Sequence, residues 1–261
     1  VAGTERFDIT GGSGNDTLIG GAGADFFQGN AGNDMIFGGD GFDTYRSDFV
    51  SATVGVVVDG SAATTIQGGR GDVDSIVGIE RLEITGGSGN DVLVGGAGFD
   101  ILIGGPGNDF LVGGPGSLDF LEGGAGADRF VLNALGEAAL DGGGFGVDFI
   151  SDFNQPEGDR FAGPGTVGIS RLFNAGMVTG ANLSAAAVAA FGDRDQVTAG
   201  AQALAASQAV FFAFSGRVYF AINDDTAAFS QSGDAILDVT GIVLKPGDGA
   251  LGALIASDYL V

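Results

Sequence analysis

Gly86-Gly87-Ser88-Gly89-Asn90-Asp91-Val92-Leu93-Val94 is followed at once by Gly95-Gly96-Ala97-Gly98-Phe99-Asp100-Ile101-Leu102-Ile103, and then by Gly104-Gly105-Pro106-Gly107-Asn108-Asp109-Phe110-Leu111-Val112. The phrase Gly-Gly-x-Gly-x-Asp-x-(large apolar)-x thus returns every nine residues. An earlier block starts its copies at Gly11, Gly20, Gly29 and Gly38, placing Asp16, Asp25, Asp34 and Asp43 at the sixth position. The later block runs from 86 to 131 and carries Asp91, Asp100, Asp109, Asp119 and Asp128. Its unit beginning at Gly113 holds one extra residue, so Asp119 comes one step late. A short period with fixed glycines, one fixed aspartate and one fixed large apolar residue describes a solenoid.

The residue types set the chemistry of the loops. Glycine enters positive φ at no steric cost and lets backbone carbonyls approach a shared point. Calcium is a hard ion that takes about 6–8 oxygens from carboxylates and carbonyls, and these loops supply both. The three residues after each aspartate form a short strand whose middle residue must point inward. Leu18, Phe27, Ile36 and Tyr45 hold that place in the first block, and Leu93, Leu102, Leu111, Leu121 and Phe130 in the second.

Nine copies in phase resemble the RTX, or hemolysin-type calcium-binding, repeat family. The resemblance covers roughly the first half of the chain. It implies an all-β fold, a right-handed parallel β-roll in which two nine-residue units make one turn. It also implies ions held between loops two units apart on one edge, pairing Asp16 with Asp34, Asp25 with Asp43, Asp91 with Asp109, Asp100 with Asp119, and Asp109 with Asp128. Carbonyls of the second and fourth residues of the earlier loop, and of the first and third of the later one, are expected to complete each shell. Those carbonyls belong to Gly12, Gly14, Gly29 and Ala31 for the first pair, and to Gly21, Gly23, Gly38 and Asp40 for the second. Gly87, Gly89, Gly104 and Pro106 serve the third pair; Gly96, Gly98, Gly113 and Pro115 the fourth; Gly105, Gly107, Gly123 and Ala125 the fifth.

Charge points the same way. The net charge is −23, and strands stacked about 4.8 Å apart would set unneutralised carboxylates against one another along a whole edge. With 52 glycines the chain reads as disordered, whereas 44% hydrophobic residues argue for a core. The two are reconciled by a fold conditional on calcium. There is no cysteine, hence no disulfide framework, and no cationic leader or membrane-length apolar run is visible. A start at Val1 rather than methionine reads as a fragment or a processed product.

A longer repeat lies above the short one. Glu5-Arg6-Phe7-Asp8-Ile9-Thr10 through Asp16 is matched by Glu80-Arg81-Leu82-Glu83-Ile84-Thr85 through Asp91, an offset of 75 residues. The intervening residues 47–85 read as degenerate coils of the same roll, poor in calcium, with strands at Val54–Val58 and Thr64–Gln67. Gly68-Gly69-Arg70-Gly71 restarts the motif there, and Asp72 or Asp74 stands near the liganding place. Arg70-Gly71-Asp72 also spells an adhesion tripeptide, which reads better as part of a loop.

From Leu132 the texture changes, and residues 132–261 are expected to form a small β-rich C-terminal cap containing short helices. Val147-Asp148-Phe149-Ile150-Ser151-Asp152-Phe153 resembles the segment that closes RTX arrays, so Asp148 is a candidate last ligand. Alanine-rich residues 182–209 predict one or two short helices broken near Gly192 and Gly200. Val210–Phe214 and Val218–Ile222 flank a hairpin turn, with further strands at 235–239 and 242–244. Asn223-Asp224-Asp225 with Asp234 is either another calcium loop or an acidic turn. The ending Asp258-Tyr259-Leu260-Val261 resembles an uncleaved type I secretion signal or a last packed strand.

Catalytic machinery is hard to find. Without histidine or cysteine there is no histidine triad, thiol nucleophile or histidine-bound zinc, and the single lysine, Lys245, precedes Pro246-Gly247 rather than a phosphate-loop hydroxyl. The acidic charge disfavours nucleic acid. The expectation is a non-enzymatic calcium-binding module of a secreted bacterial protein, extracellular or on the cell surface, with calcium and a type I exporter as partners. Two alternatives stay open: the accessory tail of an enzyme such as a protease, lipase or polysaccharide epimerase, or part of a surface layer or adhesin. Both leave room for a cell-surface or polysaccharide association.

Overall fold

The computed structural model describes residues 5–60, 64–67, 73–115, 118–131, 147–162, 169, 171–194, 203–223, 235–249 and 252–261. Asp72 with its tripeptide, the 68–71 motif, Gly200, Asp224, Asp225 and Asp234 lie outside these residues. The fold is mostly strand, and the chain divides into two compact units, Val1–Asp128 and Arg129–Val261.

In the first unit each glycine loop feeds a short strand of three to six residues that begins just after the aspartate and buries its second residue. The strands are β1 (Asp8–Thr10), β2 (Thr17–Ile19), β3 (Phe26–Gln28), β4 (Met35–Phe37) and β5 (Thr44–Asp48). They continue with β6 (Val57–Asp59), β7 (Thr64–Gln67), β8 (Val73–Val77), β9 (Arg81–Thr85), β10 (Val92–Val94), β11 (Ile101–Pro106), β12 (Phe110–Val112) and β13 (Phe120–Ala125). One sheet runs β1-β3-β5-β9-β11-β13, and the other runs β2-β4-β8-β7-β6-β10-β12. Successive repeats therefore alternate between two parallel sheets. Leu18 pairs with Ile36, Phe27 with Tyr45 and Leu93 with Leu111, each 18 residues on, while Leu102 pairs with Leu121, 19 on. The extra residue is absorbed without a slip of register. All nine predicted inward residues are buried, and the eight from Leu18 to Leu121 form the apolar line between the sheets that is this unit's core. A buried leucine or phenylalanine there stabilises by about 1.5–3 kcal/mol.

The middle segment departs from parallel coils. β5 pairs with β9, β4 with β8 and β6 with β10 in parallel, but β7 runs antiparallel to both β6 and β8. The reason is loop length. Only residues 60–63 separate β6 from β7, enough for a hairpin and far too few for a parallel crossover.

The second unit contains β14 (Arg129–Val131), β15 (Phe149–Ile150), β16 (Arg160–Ala162), β17 (Arg171–Met177), α1 (Leu183–Gly192), β18 (Gln208–Phe214), β19 (Arg217–Ile222), β20 (Ala235–Asp238), β21 (Gly252–Leu254) and α2 (Ala256–Tyr259). Its principal sheet has the order β15-β20-β19-β18-β17-β21. Asn182 caps α1 by accepting the Ala185 N–H at 2.9 Å. The buried Ala186, Ala187 and Ala190 let that helix lie close to Val210, Phe212 and Ala221. The β18–β19 turn places Ser215 at φ 51° and Gly216 at φ 80°, the two positive values that a tight hairpin needs. Phe161 stacks between Phe153 and Phe220 with centroids 4.3 Å away on either side. In place of a strand at 242–244 there is a single bridge from Val243 to Asn154, because Gly241 at φ 102° turns the chain just before it.

Candidate cation-binding loops

The aspartates form a ladder along the loops. The Asp16 N–H donates to Asp34 Oδ1 at 2.9 Å, and Asp25 to Asp43 at 2.7 Å. Asp91 donates to Asp109 at 2.7 Å, Asp100 to Asp119 at 2.8 Å and Asp109 to Asp128 at 2.8 Å. Each of the five pairs expected from the sequence is thus brought together in facing loops. The 75-residue duplication is structural as well: Phe7 donates to Asp25 Oδ1 at 2.8 Å, as Leu82 does to Asp100 Oδ1 at 2.6 Å.

The second carboxylate oxygens fall into two groups. Oδ2 of Asp16, Asp25, Asp91 and Asp100 accepts the N–H of the second glycine of its own loop, respectively Gly12, Gly21, Gly87 and Gly96, at 2.5–2.8 Å. Oδ2 of Asp34, Asp43 and Asp109 is buried and accepts no hydrogen bond. A buried polar atom left so costs about 1–3 kcal/mol, more when charged. These oxygens call for a cation.

Carbonyls approach the same places. A Cβ built on Gly11 would lie 2.6 Å from the Gly29 oxygen and 2.8 Å from Asp16 Oδ2. The first glycines of the other loops repeat this: Gly20 faces Gly38 O and Asp25 Oδ2, Gly86 faces Gly104 O and Asp91 Oδ2, Gly95 faces Gly113 O and Asp100 Oδ2, and Gly104 faces Gly123 O and Asp109 Oδ2. Only a residue without Cβ leaves that space to oxygens. The fourth-position carbonyls of Gly14, Gly23, Gly89 and Gly107 lie close against Gly32, Gly41, Gly107 and Gly126 of the next loop, and the second-position carbonyls of Gly87, Gly96 and Gly105 against Gly105, Gly114 and Gly124. Some expected donors already have partners. Gly12 O accepts the Ala31 N–H at 3.4 Å, Gly21 O the Asp40 N–H at 2.9 Å, and Ala125 O the Gly107 N–H at 2.9 Å. Gly98 has the Glu80 carbonyl against it, and Pro106 and Pro115 are exposed third residues of their loops. Asp148 precedes β15 in the second unit, where its carbonyl accepts the Asp238 N–H at 2.9 Å.

Burial shifts the loop carboxyls toward the protonated form. It lifts Asp109 to about 7, with the charges of Asp91 and Asp128 adding to the effect, and Asp100 to about 6. Asp43 and Asp91 are also raised, again chiefly by burial. Carboxyls that resist ionisation alone are those a cation can hold ionised. Among the described residues no three acidic side chains gather at one point, so any ion bound here draws on carbonyls beside paired carboxylates. That donor set, all oxygen, fits calcium.

Two features escaped the sequence reading. Asparagines at the fifth position form their own ladder: Asn15 Oδ1 accepts from Asn33, Asn33 from Val73, Asn90 from Asn108 and Asn108 from Ala127, at 2.8–3.0 Å. Their signal was the recurrence of asparagine in alternate units. The other is Glu80, whose Oε2 accepts the Asp43 N–H at 2.7 Å.

No curated protein matches the chain. Among solved structures, the crystal structure of extracellular lipase LipA from Serratia marcescens is similar at 18% identity, over 98% of this chain and 40% of that one, with a TM-score of 0.31. The chain thus spans less than half of that structure's length. The family model described as the RTX calcium-binding nonapeptide repeat, in four copies, matches residues 10–45, 85–117 and 119–134. These three stretches, with their facing aspartates and glycine-lined oxygens, are similar to RTX calcium-binding nonapeptide repeats.

Proposed function

We propose that this chain is a calcium-dependent folding module of a secreted bacterial protein, built as a right-handed parallel β-roll with a C-terminal cap. The observation that carries the reading is the set of buried, donor-free Oδ2 atoms on Asp34, Asp43 and Asp109. Calcium, when bound, supplies positive charge and oxygen coordination between facing loops. The chain's own part is to hold the carboxylates in register through the Asp N–H ladder, and to keep carbonyls close with glycine. Without the ion, facing carboxylates repel and bury charge, so folding and calcium binding are one equilibrium. On this reading the chain stays unfolded in the calcium-poor cytosol, leaves through a type I exporter, and folds outside. Its own residues perform no catalysis.

Circular dichroism tests this directly. The purified chain in EDTA should show little β structure and gain it on adding calcium but not magnesium. Identical spectra with and without calcium would sink the proposal.

A further inference from the structure

The junction between the two repeat blocks is expected from its sequence to be poor in calcium. Its geometry is that of the repeats. Above the loop ending in Asp34, the Val73 N–H donates to Asn33 Oδ1 at 2.8 Å, and the Asp34 N–H donates to Asp74 Oδ1 at 3.0 Å. These are the same fifth- and sixth-position rungs that join Asn15 to Asn33 and Asp16 to Asp34, now spanning 40 residues instead of 18. On the other edge the Asp43 N–H donates to Glu80 Oε2, spanning 37 residues, and the Gly78 carbonyl stands against Gly38 where the next loop's first glycine carbonyl stands elsewhere.

The oxygens lacking donors in the first block face this junction. Oδ2 of Asp34 and Asp74 both approach the point where a Gly29 Cβ would sit, Asp74 Oδ2 at 3.2 Å from it. Oδ2 of Asp43 and the Gly78 carbonyl approach the corresponding point at Gly38. Asp34 is 1% exposed, Asp43 0% and Asp74 5%, so water screens the Asp34–Asp74 pair poorly, while Glu80 beside Asp43 is half-buried. In the loops below, Asp16 and Asp25 turn Oδ2 to a glycine N–H; Asp34 and Asp43 do not.

We infer that residues 74–80 complete two further calcium sites, Asp34 with Asp74 on one edge and Asp43 with Glu80 and the Gly78 carbonyl on the other. This rests on the calcium reading above and extends it through the block boundary. Tyr45 marks the first of these sites. Its hydroxyl donates to Asp74 Oδ2 at 2.5 Å, and the chain has three tyrosines and no tryptophan. A terbium ion in that site lies beside a single sensitising phenol.

Terbium luminescence excited through tyrosine, with calcium counting by equilibrium dialysis, tests the inference on the full chain. Wild-type protein should give sensitised emission that calcium displaces. Tyr45→Phe should lose most of that emission, whereas Asp74→Asn should lose emission and one calcium, and Glu80→Gln one calcium with emission retained. Emission unchanged by Tyr45→Phe overturns the Asp74 site, and an undiminished count in Glu80→Gln overturns the Glu80 site. If the Asp74 variant does not fold, the comparison of wild type with Tyr45→Phe still decides. A wild-type chain that binds and folds with calcium but shows no Tyr45-dependent emission fails this inference alone; no calcium binding at all fails the functional reading with it.

Discussion

The backbone N–H of Asp91 donates to Oδ1 of Asp109 at 2.7 Å across 18 residues. Asp109 in turn donates its own N–H to Asp128, and its Oδ2 is buried without a donor. It therefore serves two neighbouring loop pairs.

Asp109→Ala should reduce calcium binding by two ions, and Asp16→Ala by one, because Asp16 stands at the half-exposed start of its block. Isothermal titration with calcium distinguishes these losses. Equal losses would overturn the pairing.

Acid should partly replace calcium. The Asp109 and Asp100 carboxyls are raised to about 7 and about 6 by burial, against about 3.9 in an unfolded chain. Between pH ~4 and ~7 the folded state holds more protons, so stability falls as pH rises through that window and is fullest below the unfolded value. In EDTA, β structure followed by circular dichroism should grow as the pH drops from 7.5 to 4.5. Calcium should flatten the dependence and release protons as it binds near pH 6.5.

Gly105→Ala should be severe. Gly105 sits at φ 104°, and a Cβ there would meet the Gly87 carbonyl oxygen at 2.5 Å. Strain at a left-handed position costs about 1–2 kcal/mol, and a backbone oxygen is slow to yield. Gly14→Ala meets nothing within 4 Å and should stay within about 0.5 kcal/mol of wild type. Thermal melts in saturating calcium compare the two.

Tyr259→Phe should weaken the second unit. The Tyr259 hydroxyl donates to Asp248 at 2.9 Å and accepts the Lys245 N–H at 3.0 Å, with its ring fully buried. Losing both bonds should cost on the order of 1–3 kcal/mol. Urea unfolding monitored by near-ultraviolet circular dichroism reads the change.

The nine-residue spacing by itself determined which residues face inward, from Leu18 to Phe130, because a short covalent repeat fixes side-chain direction; which aspartates oppose one another was implied only by the resemblance to RTX repeats. The hairpin at Ser215-Gly216 was equally local. What happens where the repeat breaks was decided by tertiary structure alone. Asp74 lies 40 residues from Asp34 and Glu80 lies 37 from Asp43, distances that no period encodes. Strand pairing brings them together when β8 docks on β4 and β9 on β5. The tertiary structure also separates Asp16 from Asp34, chemically alike in sequence: one turns its second oxygen to a glycine N–H, and the other buries it without a donor.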